Sequence, residues 1–160
     1  MDDLLVGLTL VTALGCALSA GALYAFSSFV MPALARLPTG QGIAAMQSIN
    51  VLAPTPPFMA AFLGAAAGCV AVAVWALVDW DDSSGPWLLA GSVLYLVGLI
   101  GVTRRYNIPR NNALAAAEPT DPDAEALWRR YVTEWTRWNH VRTLAGIAAA
   151  AALTGALIVD

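Results

Sequence analysis

Four long apolar runs constrain the fold of this 160-residue chain more than any other feature. They cover about residues 4–31, 58–78, 87–106 and 139–159. An α-helix needs roughly 20 apolar residues to cross a bilayer. The first run is longer than that, and the third and fourth need polar flanks to reach the interface. Because 59% of the residues are hydrophobic and only 12% are charged, we expect a single integral membrane domain over residues 1–160. The predicted fold is all-α, an integral membrane four-helix bundle.

The arginines predict how this bundle is oriented. All eight basic residues are arginine, and they lie in or beside the two long connections, after the first and third runs. On the opposite side all charged residues are acidic, and they are Asp2, Asp3, Asp79, Asp81, Asp82 and Asp160. Since cytoplasmic loops carry the excess of Lys and Arg, we expect both termini outside a bacterial plasma membrane and both long connections in the cytoplasm. The formal charge of −3 argues against a nucleic-acid partner.

Both long connections contain helical signals. Residues 40–52 predict a short loop helix between the first two spans, with Ile43, Met46 and Ile49 on its apolar side. In the second connection, Pro109 is expected to break the third helix near Asn107. A last helix should then run unbroken from about residue 123 to 158, with a cytoplasmic extension over about 123–138.

The beginning of the fourth span carries a dense set of polar and aromatic residues, "EWTRWNHVRT" from Glu134 to Thr143. On a helix, seven residues in and around this stretch share a stripe of roughly 80°. They are Trp128, Tyr131, Trp135, Trp138, Asn139, Arg142 and Gly146. An aromatic belt at the headgroup level would explain the tryptophans. Asn and Arg at membrane depth instead favour a polar site that faces the bundle interior. His140 lies off the stripe and Glu134 flanks it.

Other segments supply candidate partners for this stripe at the same end of the bundle. They are Tyr24 in the first run, Gln47 and Asn50 in the first connection, and Asn107 and Asn111 around Pro109. Two further pairs indicate helix packing. Gly64 and Gly68 form a GxxxG motif, and Cys16 and Cys69 lie within apolar runs without any metal-binding pattern.

The chain resembles the anthrone oxygenase-like family of small four-span membrane proteins. The resemblance rests on "GALYAFSSFVMPAL", "GIAAMQSIN", "YNIPRNNALA" and "WTRWNHVRT" in this order, followed by a small-residue last span. It implies a four-span fold and, for some members, the oxidation of an anthrone to an anthraquinone with O₂. The residues that match the motifs are Pro32, Asn50, Asn107, Asn111, Trp138, Asn139 and Arg142.

The chemistry implied by the resemblance suits these residue types. An anthrone that loses one proton is an electron-rich anion, which can reduce O₂ without a metal or flavin. Trp135 and Trp138 offer flat apolar surfaces for its rings. Hydrogen-bond donors for the developing oxyanion are Asn139, Asn50 or Asn111, and Arg142 adds positive charge. His140 or Glu134 is the expected base. We therefore expect no cofactor and no metal, with O₂ as co-substrate.

Two other functional classes stay open at this stage. A structural or accessory membrane protein would use the same Asn, Arg and Trp side chains to lock helix ends together. A small-solute transporter would need polar lining through the outer half of the bundle, where the sequence is almost entirely apolar. The expected partners are the lipid bilayer and a small hydrophobic aromatic ligand, and a homo-oligomer is left open. A cavity on the cytoplasmic side would favour an enzyme over an accessory protein.

Overall fold

The computed structural model describes residues 2–81, 83–118 and 120–159. Met1, Asp82, Pro119 and Asp160, which enter the charge argument or the predicted domain range, lie outside the described residues. Within these ranges the chain forms helices and no strand. The helices are α1 (Asp3–Leu34), α2 (Thr39–Leu52), α3 (Pro56–Val78), α4 (Gly85–Ala115) and α5 (Ala124–Val159). The four other than α2 are long and apolar enough to span a membrane, which confirms the predicted fold class.

Two predictions for the connections are confirmed. The short loop helix forms as α2, and it buries Ile43 and Met46 while Ile49 packs against the same cluster. The last helix α5 is continuous over 36 residues and begins directly after Asp123. Its first half therefore extends from the bundle toward the arginine-rich end.

The prediction that Pro109 breaks the third helix is wrong. α4 continues to Ala115, and a π-helical turn over Thr103–Asn107 precedes the proline. A proline has no N–H and its ring clashes with the carbonyl four residues earlier, here that of Arg105. The wider π-helical turn contains that carbonyl and absorbs the conflict without ending the helix. α1 uses the same device, because its π-helical turn Phe26–Val30 ends two residues before Pro32.

Small residues let α5 pack closely against α1 and α4. A side chain at Gly146 would collide with Ala20 of α1 and Leu99 of α4, and one at Gly98 would collide with Ala145 of α5. These glycines set the spacing of the helices that carry the inner stripe of α5.

The GxxxG interpretation holds for only one of its two glycines. A side chain at Gly68 would collide with Thr12 of α1, whereas nothing lies within 4 Å of a side chain at Gly64. Gly64 is therefore not a close-packing position, because α3 turns that face away from α1. The cysteines are packing residues as expected: Cys16 and Cys69 are both buried, with their sulfur atoms 3.9 Å apart.

α3 and α4 pack together at their connected ends and separate toward the arginine-rich end. α3 lies mainly against the Gly85–Val93 part of α4, with fewer contacts further along the helix. α2 lies over the space that opens between them, against the Trp128 side of α5. This divergence creates the volume in which the polar residues meet.

Candidate active site

A cavity of about 730 Å³ lies at the arginine-rich end of the bundle. Its walls come from α1, α2, α3, α4 and the inner stripe of α5. Most of the lining is apolar or aromatic, and the polar members are few. The apolar walls include Leu23, Phe26, Met46, Ile49, Phe58, Met59, Phe62, Leu63, Ile100, Ile108 and Trp135, and the polar lining is Gln47, Asn50, Thr103, Arg104, Asn111, Asn112 and Arg142. An apolar pocket with a few converging polar groups is typical of a small-molecule site.

Arg142 is the central cation of this cavity. Its side chain is 5% exposed, yet its hydrogen bonds go to the neutral oxygens of Asn139 and Thr103. Its Nε atom is buried and has no hydrogen-bond partner among the described residues, and no carboxylate of those residues forms an ion pair with it. The guanidinium carbon lies 5.2 Å from the centroid of the Trp135 ring, which helps to hold its plane.

Asn139, one helical turn before Arg142 on α5, holds the guanidinium of Arg142 in place. Its amide nitrogen donates to the carbonyl oxygen of Leu23 at 2.7 Å and also to the hydroxyl of Ser27, while its carbonyl oxygen accepts from Arg142. Asn139 is fully buried and does not line the cavity. Its amide group is thus used up in linking α5 to α1 and in orienting the guanidinium.

Trp135 is fixed from two directions by asparagines of α4. Its indole nitrogen donates to Asn111 Oδ1 at 2.8 Å, and the Tyr131 hydroxyl donates to the same oxygen at 2.9 Å. The amide of the buried Asn107 donates to the Trp135 carbonyl oxygen at 3.2 Å. The indole is therefore a rigid wall beside Arg142.

The polar residues of α2 have two different roles. Gln47 donates to the carbonyl oxygens of Leu114 and Ala117, at 2.9 and 3.0 Å, and thereby ties α2 to the end of α4. Asn50 also lines the cavity, but its amide nitrogen is buried without a hydrogen-bond partner among the described residues. An unused donor at a cavity wall is a group that a ligand oxygen can satisfy.

Besides the buried Asn107 and Asn139, four further sequence-predicted residues do not line the cavity. His140 is exposed and borders a separate groove of about 430 Å³ with Met31 and Pro32 of α1. Glu134 forms an ion pair with Arg110 at 2.7 Å. Trp138 is half-buried and stacks on Tyr106, with ring centroids 3.5 Å apart. Tyr24 is 59% exposed on α1.

Sequence reasoning missed several residues of the site. Thr103 and Ser27, which accept from Arg142 and Asn139, both belong to π-helical turns. Each of these turns ends two residues before a proline, Pro109 or Pro32, so the prolines were the available signal. The aromatic wall of Phe58 and Phe62 carries no sequence signal that separates it from lipid-facing residues.

The charges and donors limit what this site can do. Trp135 and the apolar walls fit a flat apolar body, while Arg142 and the free Asn50 donor fit an oxygen with negative charge. Among the described residues, no group of three or more His, Cys, Asp or Glu side chains is arranged to hold a metal ion. Neither imidazole nor carboxylate belongs to the cavity lining.

Comparison with known proteins finds one family. Residues 58–152, which are more than half of the 160-residue chain, match the sequence model of the anthrone oxygenase family. The matched segment includes Asn107, Asn111, Asn139 and Arg142, and it begins after α2. Neither a search of curated proteins nor a search of solved structures found a similar protein.

Proposed function

This chain belongs to the anthrone oxygenase family, and from its cavity we propose that it binds a flat, anthrone-like aromatic compound and oxidises it with O₂ without a cofactor. The observation that carries the proposal is Arg142, a buried cation beside an indole wall, with no carboxylate partner in the part of the chain that the structure describes. Burying a charge costs several kcal/mol when it stays unpaired. An anionic ligand in the cavity would supply the missing partner.

The proposed reaction begins with the loss of one proton from the CH₂ group of the anthrone. Arg142 and Asn50 stabilise the enolate-type oxygen of the resulting anion, because both are donors in a water-poor site. His140 and Glu134, suggested by the sequence as bases, do not line the cavity. In the proposal, water at the cavity mouth therefore accepts the proton.

The remaining steps need only O₂. The anion gives one electron to O₂, and the carbon radical and superoxide combine to form a peroxide anion. The peroxide takes up the released proton and then loses water, which leaves a quinone carbonyl. One oxygen atom of O₂ ends in the product and the other in water. Trp135 and Phe62 would hold the ring system flat against the cavity wall during these steps.

Some of the polar residues at this end of the bundle also favour a second candidate function, that of a structural or accessory membrane protein. Asn139, Gln47 and Asn107 each donate to a main-chain carbonyl of another helix. These three amides lock helix ends together whether or not a substrate binds. Arg142 makes no such bond to the main chain, so it separates the two candidates.

The experiment compares Arg142→Lys with the parent protein in nanodiscs. O₂ uptake with anthrone is measured against protein-free discs, because anthrones also oxidise spontaneously. Lys keeps the charge but lacks the planar fork that holds both Asn139 and an oxyanion. The proposal predicts a parent rate above the protein-free rate, and a folded Arg142→Lys variant with most of that excess lost. A parent no faster than empty discs contradicts the proposed oxidation. If the variant mainly loses thermal stability while an active parent's rate is kept, the structural role is supported instead.

A further inference from the structure

The cavity has an opening on its side, between α3 and α4. Leu63 of α3 and Ile108 of α4 both line the cavity and are 53% and 43% exposed. Ile100 of α4 lies further in on the same wall. α3 and α4 pack together mainly at their other ends. Leu63 lies inside the apolar run of α3 and Ile108 lies just beyond the predicted end of the span in α4, so the opening lies at the arginine-rich edge of the hydrocarbon. We call it the lateral portal, bordered by Leu63, Ile100 and Ile108.

The side of the cavity that faces water stays partly open, because the lining residues Val51 and Asn112 on this side are exposed. α2 lies across it, and Met46 of this helix is buried beneath. Gln47 fastens α2 to the end of α4 through the carbonyl of Leu114, and to the segment that follows α4 through the carbonyl of Ala117. Among the lining residues, Asn112 marks the rim on this aqueous side, beyond the apolar border of the portal.

Resting on the proposed function for the chemistry of the ligand, we propose that the cavity is loaded from the bilayer through the lateral portal. The ligand class is then a membrane-dissolved weak acid with a flat apolar body and one acidic oxygen. Only the neutral form partitions well into hydrocarbon, because a charge is costly there. The acid therefore enters neutral and ionises at the inner end, giving its proton to water at the cavity mouth. Arg142 there provides the only buried cation of the described lining.

The polarity along the path agrees with this route. Leu63, Ile100 and Ile108 carry no polar side chain, and Thr103, Asn111 and Arg142 come later on the way inward. The exposed Arg104 lies between Ile100 and Ile108 on the same face of α4, and its long side chain can extend toward the headgroups. An acid that arrived from water would first meet polar groups at Asn112 and would lose its hydration before reaching the cation. The bilayer has already removed that hydration, so access from lipid costs less.

The test measures how fast a coloured probe leaves the cavity. The probe is 1-hydroxyanthraquinone, an unreactive flat phenol whose visible band shifts when it ionises. Protein nanodiscs loaded with the probe are mixed with excess empty vesicles, and the decay of the ionised band is followed by stopped flow. The variants are Leu63→Trp and Ile108→Trp at the portal, and Asn112→Trp at the aqueous rim. Val70→Trp is the matched control, because Val70 is 50% exposed on the same face of α3, two turns beyond Leu63.

A blocked path slows entry and release together and leaves the affinity for the probe little changed. We expect both portal variants to release the probe about tenfold more slowly than the parent, since passage then needs a rearrangement of the blocking side chain. Val70→Trp should match the parent, and Asn112→Trp, which narrows only the aqueous rim of the cavity, should slow release far less than the two portal variants. Ile108→Trp carries the test if Leu63→Trp does not fold.

Three results separate this inference from the proposed reaction. Portal variants that release the probe as fast as Val70→Trp, with Asn112→Trp slowed, overturn the lipid route. A parent that never shows the ionised band overturns the ligand class. A parent that binds and releases the probe as expected, but does not accelerate O₂ uptake with anthrone, leaves the inference standing and removes the proposed oxidation.

Discussion

Replacing Arg142 with Met should remove most of the proposed activity without destabilising the protein. Met is unbranched, has no charge and reaches about as far as the Nε atom of Arg, so it fills part of the same space beside Trp135. In the folded chain Arg142 is 5% exposed, and its guanidinium donates only to neutral oxygens among the described residues. This combination makes the residue costly for the fold and useful for an anionic ligand.

Two opposing contributions decide how Arg142→Met changes the free energy of unfolding: the loss of hydrogen bonds and the removal of a buried charge. A hydrogen bond from a charged donor contributes about 1.5–3 kcal/mol, and the bond to Thr103 is long at 3.3 Å. The carbonyl oxygen of Asn139 is left unpaired, which costs about 1–3 kcal/mol. Against this, removing an unpaired buried charge recovers several kcal/mol. We expect the free energy of unfolding to stay within about 1 kcal/mol of the parent or to rise.

The effect on turnover should be much larger. Loss of one donor to a developing oxyanion lowers kcat by about 10²–10³, equivalent to about 2.7–4 kcal/mol. Turnover is followed as O₂ uptake with anthrone in nanodiscs, and stability as thermal unfolding by circular dichroism. Arg137→Met is the matched control, because Arg137 is exposed on the same helix and does not line the cavity. A variant with parental turnover and a clearly lowered melting temperature would refute the reasoning.

Three further predictions follow from packing and orientation. Asn111→Ala should lower the free energy of unfolding by about 2–4 kcal/mol in chemical denaturation, because its side-chain oxygen accepts from two donors that would be left unpaired. Gly68→Ala should lower the melting temperature, with an overpacking cost of about 1–3 kcal/mol, while Gly64→Ala should not, since only the first side chain meets α1; equal effects would contradict the packing. If both termini are outside, a reporter active only in the cytoplasm should be silent after Asp160 and active when inserted at Ala117, and the opposite pattern would reverse the proposed orientation.

The inner stripe of α5 was predictable because helical periodicity fixes it. Residues three and four apart share a face, and Tyr131, Trp135, Asn139 and Arg142 are all buried as that spacing requires. His140 follows Asn139 by one residue, which turns it about 100° away from the stripe and out of the cavity. His140 was considered as a catalytic base because it is next to Asn139 in the sequence. Its direction on the helix does not support that role.

The edges of the stripe and the shape of the cavity were less predictable. Trp138 sits at the edge, where the choice between the interior and a neighbouring helix depends on Tyr106, a long-range partner. The cavity exists because α3 and α4 diverge, and the sequence of each span alone does not encode that angle. The π-helical turns lie within continuous helices, so only Pro32 and Pro109 pointed to them.

A structure with bound 1-hydroxyanthraquinone in nanodiscs tests the central claim most directly. The account predicts that the ring system lies in the cavity of about 730 Å³ against Trp135, with its phenol oxygen beside the guanidinium of Arg142. Density for the ligand in the groove of about 430 Å³ beside His140, with the cavity unoccupied, would contradict it.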